Sequence, residues 1–321
     1  MNVPARTEAR DGVHEGQRAC NRGQQGLLVD SERRRGRAAP EERSSRLSTA
    51  TSNPAAAAAE IGSTQRSRGG LAWTIDLLFL LTWRDLKVRY QGTILGFFWS
   101  VTKPLLLGLV LYFALSEVVR FDVPNYQLFL LAALFPWFWF QTCVMSAIGS
   151  FTGNGNLLKK VSFPRYVLPL SMIANHSVHF ALSLPVLAAF SLIFADAPGW
   201  AWIIGIPLLS LIQVVLISGL SLLVATINVF FRDLEHLTEV AMTLLFYVTP
   251  IIYPLDLVPD RYQWILLINP MTCLIEGWRD VLVDNRLPGL ELWPAVALSA
   301  VLLAAGAFMY RRLERHFADV L

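Results

Sequence analysis

From about position 94 onward the chain is a series of long apolar stretches broken by short polar joints. A helix needs about 20 apolar residues to cross the hydrocarbon of a bilayer. Six stretches have that character, at about 95–119, 126–151, 166–195, 201–231, 236–255 and 291–310. The second, third and fourth are long enough to tilt or to run past the lipid. None shows barrel-like alternation, and backbone amides in lipid need internal partners, so each predicts an α-helix. Ahead of the first, Ile75, Phe79, Trp83, Leu86 and Tyr90 recur at helical spacing, predicting an amphipathic helix over 71–91 in the headgroup layer. Between the last two stretches, 256–290 is too polar to cross and too apolar for an ordinary loop. There Trp264, Ile265, Leu266, Leu267 and Ile268 precede Asn269 and Pro270, and Ile275, Trp278 and Leu282 follow at helical spacing. Two short helices dipping into the outer leaflet fit that pattern. The expected fold is an all-α membrane protein of six transmembrane helices, with an N-terminal interfacial helix and short re-entrant gate helices between spans five and six.

Composition strengthens the lipid reading. Of 321 residues 54% are hydrophobic and only 16% charged, where a soluble domain carries about 25% charge. Mean hydropathy is +0.47. Residues 1–70 stand apart: SERRRGR, an alanine run and many Gly, Ser and Thr predict a disordered, basic, low-complexity tail with no secretory signal. Elsewhere Lys and Arg mark one side of the membrane. Arg84, Lys87 and Arg89 precede the first span; Lys159, Lys160 and Arg165 lie between spans two and three; Arg232 lies between four and five; Arg311, Arg312 and Arg315 follow the last. The opposite side carries Arg120, and its last loop sets Arg261, Arg279 and Arg286 against Asp256, Asp260, Glu276, Asp280 and Asp284. The positive side faces the cytoplasm, so both termini are expected there.

Chemistry is sparse. There is no phosphate-binding G-x-x-x-x-G-K-[ST] loop and no G-x-S-x-G, H-E-x-x-H or C-x-x-C motif. The three cysteines have no metal-ligand spacing. His176 and His179 share a helix face, but interhelical hydrogen bonding is the expected use of both. Asn175, Gln213, Asn228 and Glu239 also lie in or near lipid depth, where such groups face a bundle interior or a wet path. The run FPWFWF at 135–140 begins about ten residues into its span, roughly 15 Å deep. That is too deep for an interface belt, and aromatic faces suit sugar rings. Packing around the Pro136 kink is the competing reading.

Four stretches then align with a known family: RDLKVRYQGTILGFFW at 84–99; GNLLKKVSFPR at 155–165, followed by LPLS at 168–171; FRDL at 231–234; and TPIIYP at 249–254, continued by NPM at 269–271 and EGWRD at 276–280. In order and spacing residues 71–321 resemble the ABC-2 type permeases that export lipid-linked polysaccharides such as O-antigen, capsule and teichoic acid. The resemblance implies a homodimer in a bacterial inner or plasma membrane, joined by two copies of an ATPase subunit. ATP and Mg would bind to that subunit and no cofactor to this chain. The cargo would be a glycan on a lipid diphosphate, and no nucleic acid is implied. Arg84, Lys87, Arg89 and Tyr90 would stand at the substrate intake. Trp137, Phe138, Trp139 and Phe140 would belong to the channel lining. Asn156, Lys159, Lys160, Phe163, Pro164 and Arg165 would form the coupling segment (152–165) docked on the ATPase. Tyr253, Asn269, Pro270, Glu276, Trp278 and Arg279 would form the outer gate (256–285 and its approach). A permease for a drug or small lipid, a membrane-embedded transferase and a passive channel are the rivals.

Overall fold

The computed structural model describes residues 71–90, 98–118, 120, 123–155, 163–194 and 198–317. The expected tail at 1–70 lies outside them. The helices are α1 (Leu71–Tyr90), α2 (Phe98–Tyr112), α3 (Tyr126–Ile148), α4 (Val167–Phe194), α5 (Trp200–Asn228), α6 (Leu234–Val248), α7 (Asp260–Leu267), α8 (Pro270–Leu282) and α9 (Trp293–Leu313). A helical turn, Ser150–Gly153, follows α3, and no strand occurs among the described residues.

Four helices are long and apolar enough to cross a membrane: α3, α4, α5 and the Leu290–His316 rod containing α9. The first and fifth expected spans are not among these four. α2 is 15 residues long and continues through wider π-type turns over Phe113–Val118. α6 is also 15 residues long. It ends because Thr249 precedes Pro250, whose ring pushes its neighbour out of the helical region; Thr249 is extended, at φ −72° and ψ 135°. The expected dipping segment is helical where the pattern placed helices, as α7 and α8.

α3 is the hub. It packs against α2, α4, α5, α6 and α8, and it is the most enclosed of the four long helices. Its apolar residues join those of α8 and the inner faces of α4 and α5 in one cluster. A second cluster closes the other end of the bundle. There Leu77 and Leu81 of α1 meet Phe151, Val167, Leu168, Ala225, Val229, Tyr310 and Phe317. α2 and α6 touch the hub on one side only. Trp99, Leu106 and Val110 on α2, Phe113 just after it, and Leu237, Val240, Leu244 and Tyr247 on α6 remain exposed.

α5 and α9 make the most extensive helix pair, and glycine permits it. A Cβ at Gly219 would run into the backbone of Leu302 and Leu303, and one at Gly306 into the Gly219 carbonyl. Close backbone approach through small residues is a usual way for helices to associate in lipid, where no hydrophobic effect drives them together. Gly219→Ala and Gly306→Ala should each lose about 1–3 kcal/mol through overpacking, read as a lower thermal transition in detergent. Gly289→Ala, with nothing within 4 Å of the added carbon, should leave that transition unchanged.

Candidate functional site

The middle of the bundle is built around α3 and Pro136. Gln213 of α5 is fully buried, and its Nε2 donates to the Pro136 carbonyl oxygen at 2.8 Å. Its Oε1 accepts from Trp278 Nε1 of α8 at 2.8 Å. One amide thus ties three helices together. The aromatic run flanks this tie. Trp139 stacks on Phe180 with centroids 4.3 Å apart, and Phe180 meets Trp278 edge-on at 5.4 Å. Trp137 packs on Phe140 and Phe246. Trp137, Trp139 and Phe140 are therefore inside the subunit, and Phe138 is the member of the run left half-buried. Trp278, expected at the outer gate, is likewise core.

At the end of the bundle where α3 begins, the chain between α6 and α7 is unwound. Its carbonyls need donors if they lie at membrane depth. Tyr126 Oη donates to Ile252 O at 2.7 Å and Arg279 Nη2 to Ile251 O at 2.9 Å. Asn269 caps α8 by accepting from Met271 N at 3.0 Å, and its Nδ2 donates to Thr249 Oγ1 at 2.8 Å. Pro270 opens α8 at a position needing no N–H donor. Tyr253 Oη donates back to Val248 O at 3.1 Å. Arg279, only 4% exposed, lies 3.6 Å over the Phe129 ring and pairs with Glu276 at 2.7 Å. Burial lowers its pKa to about 10, Glu276 opposing. Burial raises the pKa of Glu276 against the pull of Arg279, and that of Asp280 against Arg286.

A cleft of about 880 Å³ opens beside α8, between the start of α3, α7 and the approach to α9. Its wall carries Asp256, Glu276, Asp280, Asp284 and Glu291 against Arg279 and Arg286. The lining is net acidic, and Asp280 accepts from Arg286 Nε at 2.8 Å.

At the opposite end of the bundle α1 has two apolar faces. Leu77 and Leu81 pack on the bundle, while Ile75, Phe79 and Trp83 of the expected stripe point outward and exposed. Arg84 is not free: its Nε and Nη2 donate to Asp85 Oδ1 at 2.9 and 2.7 Å. Lys87 is exposed. Arg89 and Tyr90 close α1, but their side chains are outside the described residues. So are Asn156, Lys159 and Lys160. Phe163 packs against the second cluster, and Pro164 is half-buried. Arg165 turns inward, donating to Glu314 O at 3.1 Å and facing the Phe317 ring at 5.9 Å. Two further polar residues of the spans serve as helix ties: Ser146 Oγ bonds His176 Nε2 at 2.7 Å, and Asn228 Nδ2 donates to Ile148 O at 3.0 Å; Asn175 is buried. Glu239 is exposed, and no metal-binding group forms among the described residues.

Sequence reasoning passed over Tyr126 and Lys103. Lys103 interrupts the apolar face of α2, and its Nζ stands 5.2 Å from the Phe138 centroid. A cation over an aromatic ring gains about 0.5–2 kcal/mol, while a lysine at the centre of a spanning helix costs about 2.5–3.5 kcal/mol. The ring alone does not balance the charge. A lone Lys within an apolar stretch was the signal available.

Comparison with known proteins matches residues 76–283 to the ABC-2 type transporter family. That match runs from within α1 through α8, more than half of the chain. This protein belongs to that family. Its ABC-2 relatives include an O-antigen export system permease protein RfbA of Klebsiella pneumoniae, 37% identical over 78% of this chain and 97% of the relative. The RfbA of Myxococcus xanthus is 35% identical over 76% of this chain and 94% of the relative. The polysialic acid transport protein KpsM of Escherichia coli is 25% identical, covering 75% and 93% respectively. The unwound TPIIYP segment and its Arg279 and Tyr126 donors lie within the ABC-2 match.

Gln213→Leu in this ABC-2 chain strands the buried Trp278 N–H, at about 1–3 kcal/mol. Adding Trp278→Phe removes that orphan, so the double variant should lose less in thermal unfolding than the two singles summed. Glu276 and Asp280 hold their protons more tightly folded than unfolded. Stability therefore rises as pH falls toward the ordinary carboxylate range and is lost as pH climbs through the raised values. Unfolding in detergent should come later at about pH 5 than at about pH 7.5, and Glu276→Gln should flatten that difference.

Proposed function

We propose that this chain is the transmembrane subunit of an ATP-driven exporter that moves a lipid-linked polysaccharide out of the bacterial cytoplasm across the inner or plasma membrane. The observation that carries the reading is the similarity to the O-antigen export permease, which runs over 97% of that relative. The more distant polysialic acid transport protein points to the same class of cargo. It favours a glycan over a drug or small lipid.

In this reading α2 and α6 join the four long helices as spans one and five, and both termini are cytoplasmic. The one-sided packing of α2 and α6 on α3, with an apolar stripe exposed on each, supports pairing of two copies around a shared path. Two ATPase subunits, holding ATP and Mg, dock at the inner end on segment 152–165. Lys159 and Lys160 are the cations this reading assigns to the dock, since Arg165 is spent within the fold. α1 lies in the inner headgroup layer with Ile75, Phe79 and Trp83 in lipid, and Lys87 and Arg89 draw the substrate diphosphate. Phe138 is the aromatic that meets the path. α7, α8 and the acidic cleft form the outer gate, whose negative wall favours release of an anionic cargo over its retention.

A diphosphate carried bare through hydrocarbon meets a prohibitive desolvation penalty. A wet path with cations at its mouth lowers it, and weak stacking lets a polymer slide. ATP acts by changing how the two permeases meet, through rigid-body motion.

Deleting the gene should leave completed glycan-lipid on the cytoplasmic side and strip it from the surface; normal surface glycan overturns the proposal. Lys159→Glu with Lys160→Glu should cut copurification of the ATPase subunit at least about tenfold, an interface loss near 1.4 kcal/mol. Unchanged copurification and export would remove the coupling role from this segment.

A further inference from the structure

Lys103 is the exposed cation of an otherwise apolar helix face. On α2 and the turn that continues it the exposed positions Trp99, Lys103, Leu106, Val110 and Phe113 follow one another at spacings of three and four, forming a single stripe. Its depth follows from the register of α2 on α3. A Cβ on Gly108 would lie 2.9 Å from Leu131 Cδ2 and 3.4 Å from Leu134 Cδ1, so those positions are level. The two helices run in opposite directions. Five residues back along α2, about 7.5 Å, reaches Lys103; four residues on along α3, about 6 Å, reaches Phe138. The ammonium contact at 5.2 Å agrees with that register. Phe138 is midway along the 23 residues of α3, about 15 Å from the inner end of that helix.

A lysine near a helix end escapes lipid by extending its stem to the headgroups. Lys103 does the opposite, because its ammonium is held at the Phe138 ring in the middle of the hub helix. No carboxylate pairs with it among the described residues. Intramembrane cations of this kind face a cavity or a counter-ion. The ring supplies a flat apolar surface beside the charge, and together they offer an anion and a sugar face adjacent contacts.

We infer that Lys103 and Phe138 form a mid-membrane station for the phosphate head of the exported lipid: the ammonium binds the diphosphate and the ring packs the first sugar. The inference rests on the export reading above and adds a site within the membrane to the cations at the inner mouth. A single ammonium on a flexible stem binds as a point charge without a bidentate fork, which suits a cargo that must leave again.

The test uses the intact exporter, both permease copies with their ATPase, in phosphatidylcholine nanodiscs and in cells. The probe is a polyprenyl diphosphate bearing a short sugar, with phosphatidylglycerol as competitor. Lys103→Met and Lys103→Gln should weaken probe binding about tenfold or more, the loss of a charge-assisted contact. Both should lower surface glycan, and Lys103→Arg should stay close to wild type. Excess phosphatidylglycerol should displace little probe. Either neutral variant binding and exporting like wild type overturns the inference. Displacement by phosphatidylglycerol at equal concentration makes Lys103 a holder of ordinary lipid headgroups and overturns it too. Loss of subunit pairing in both neutral variants, restored by arginine, assigns the charge to a contact between copies and likewise overturns it. Gene deletion separates the two readings. If deletion leaves export intact, the export function itself falls. If deletion blocks export while the neutral variants export normally, only the station falls.

Discussion

A carbonyl oxygen withdrawn from water must find a donor within the protein, and that constraint organises this bundle. The long polar side chains go to places where a helix is interrupted. Gln213 reaches the carbonyl of Pro136 at the kink of α3, and Asn228 reaches Ile148 at the end of that helix. Arg279 and Tyr126 reach Ile251 and Ile252 where the chain is unwound between α6 and α7. Each bond also joins two elements. Satisfying a broken helix and fixing helix positions are thus one act, and the apolar packing around α3 inherits its register from these ties.

The same constraint explains the asymmetry between the buried and unburied helices. α8 is short, yet all but one of its described side chains from Met271 to Leu282 are buried, because its cap, its tryptophan and its arginine are each engaged by a neighbour. α7, beside it, buries only Leu266. α2 and α6 pack mainly on α3, with lesser contacts to α4 and α5 respectively, and keep an apolar stripe outward. Parts with few internal ties open first when a structure fluctuates. In the proposed gate, α7 is therefore the element free to move and α8 the fixed jamb.

Four of the six expected spans were legible because length and hydropathy are properties of the sequence itself. The shortfall of the fifth was written there too, in Thr249 and Pro250, but an apolar average conceals a proline that ends the helix. The existence of α7 and α8 was legible from Asn269, Pro270 and the spacing of Ile275, Trp278 and Leu282. Facing was not. The run at 135–140 surrounds its helix, so composition could not say that Trp137, Trp139 and Phe140 turn inward and Phe138 partly outward; that depends on where α4, α6 and α8 settle. Nor could charge type say that Arg84 is paired with its neighbour Asp85 and Arg165 with the carbonyl of Glu314. A cation reads the same in sequence whether it is spent inside the fold or offered to a partner.

The surviving charges form a sequence along the proposed path: cations on the inner helix, one ammonium at mid-depth, and an acidic cleft outside. A fixed field of this kind draws an anion in, lowers the barrier in the middle and discourages holding at the exit. It performs no net work, because a static potential returns on resetting whatever it gives on passage. Charge alone therefore sets the ease of movement and leaves direction to a change in conformation. That change must enter where an outside partner can push. In the proposed orientation such a place is the inner end, where α1, the base of α4 and the ends of α5 and α9 converge on one apolar cluster and would move together as a unit.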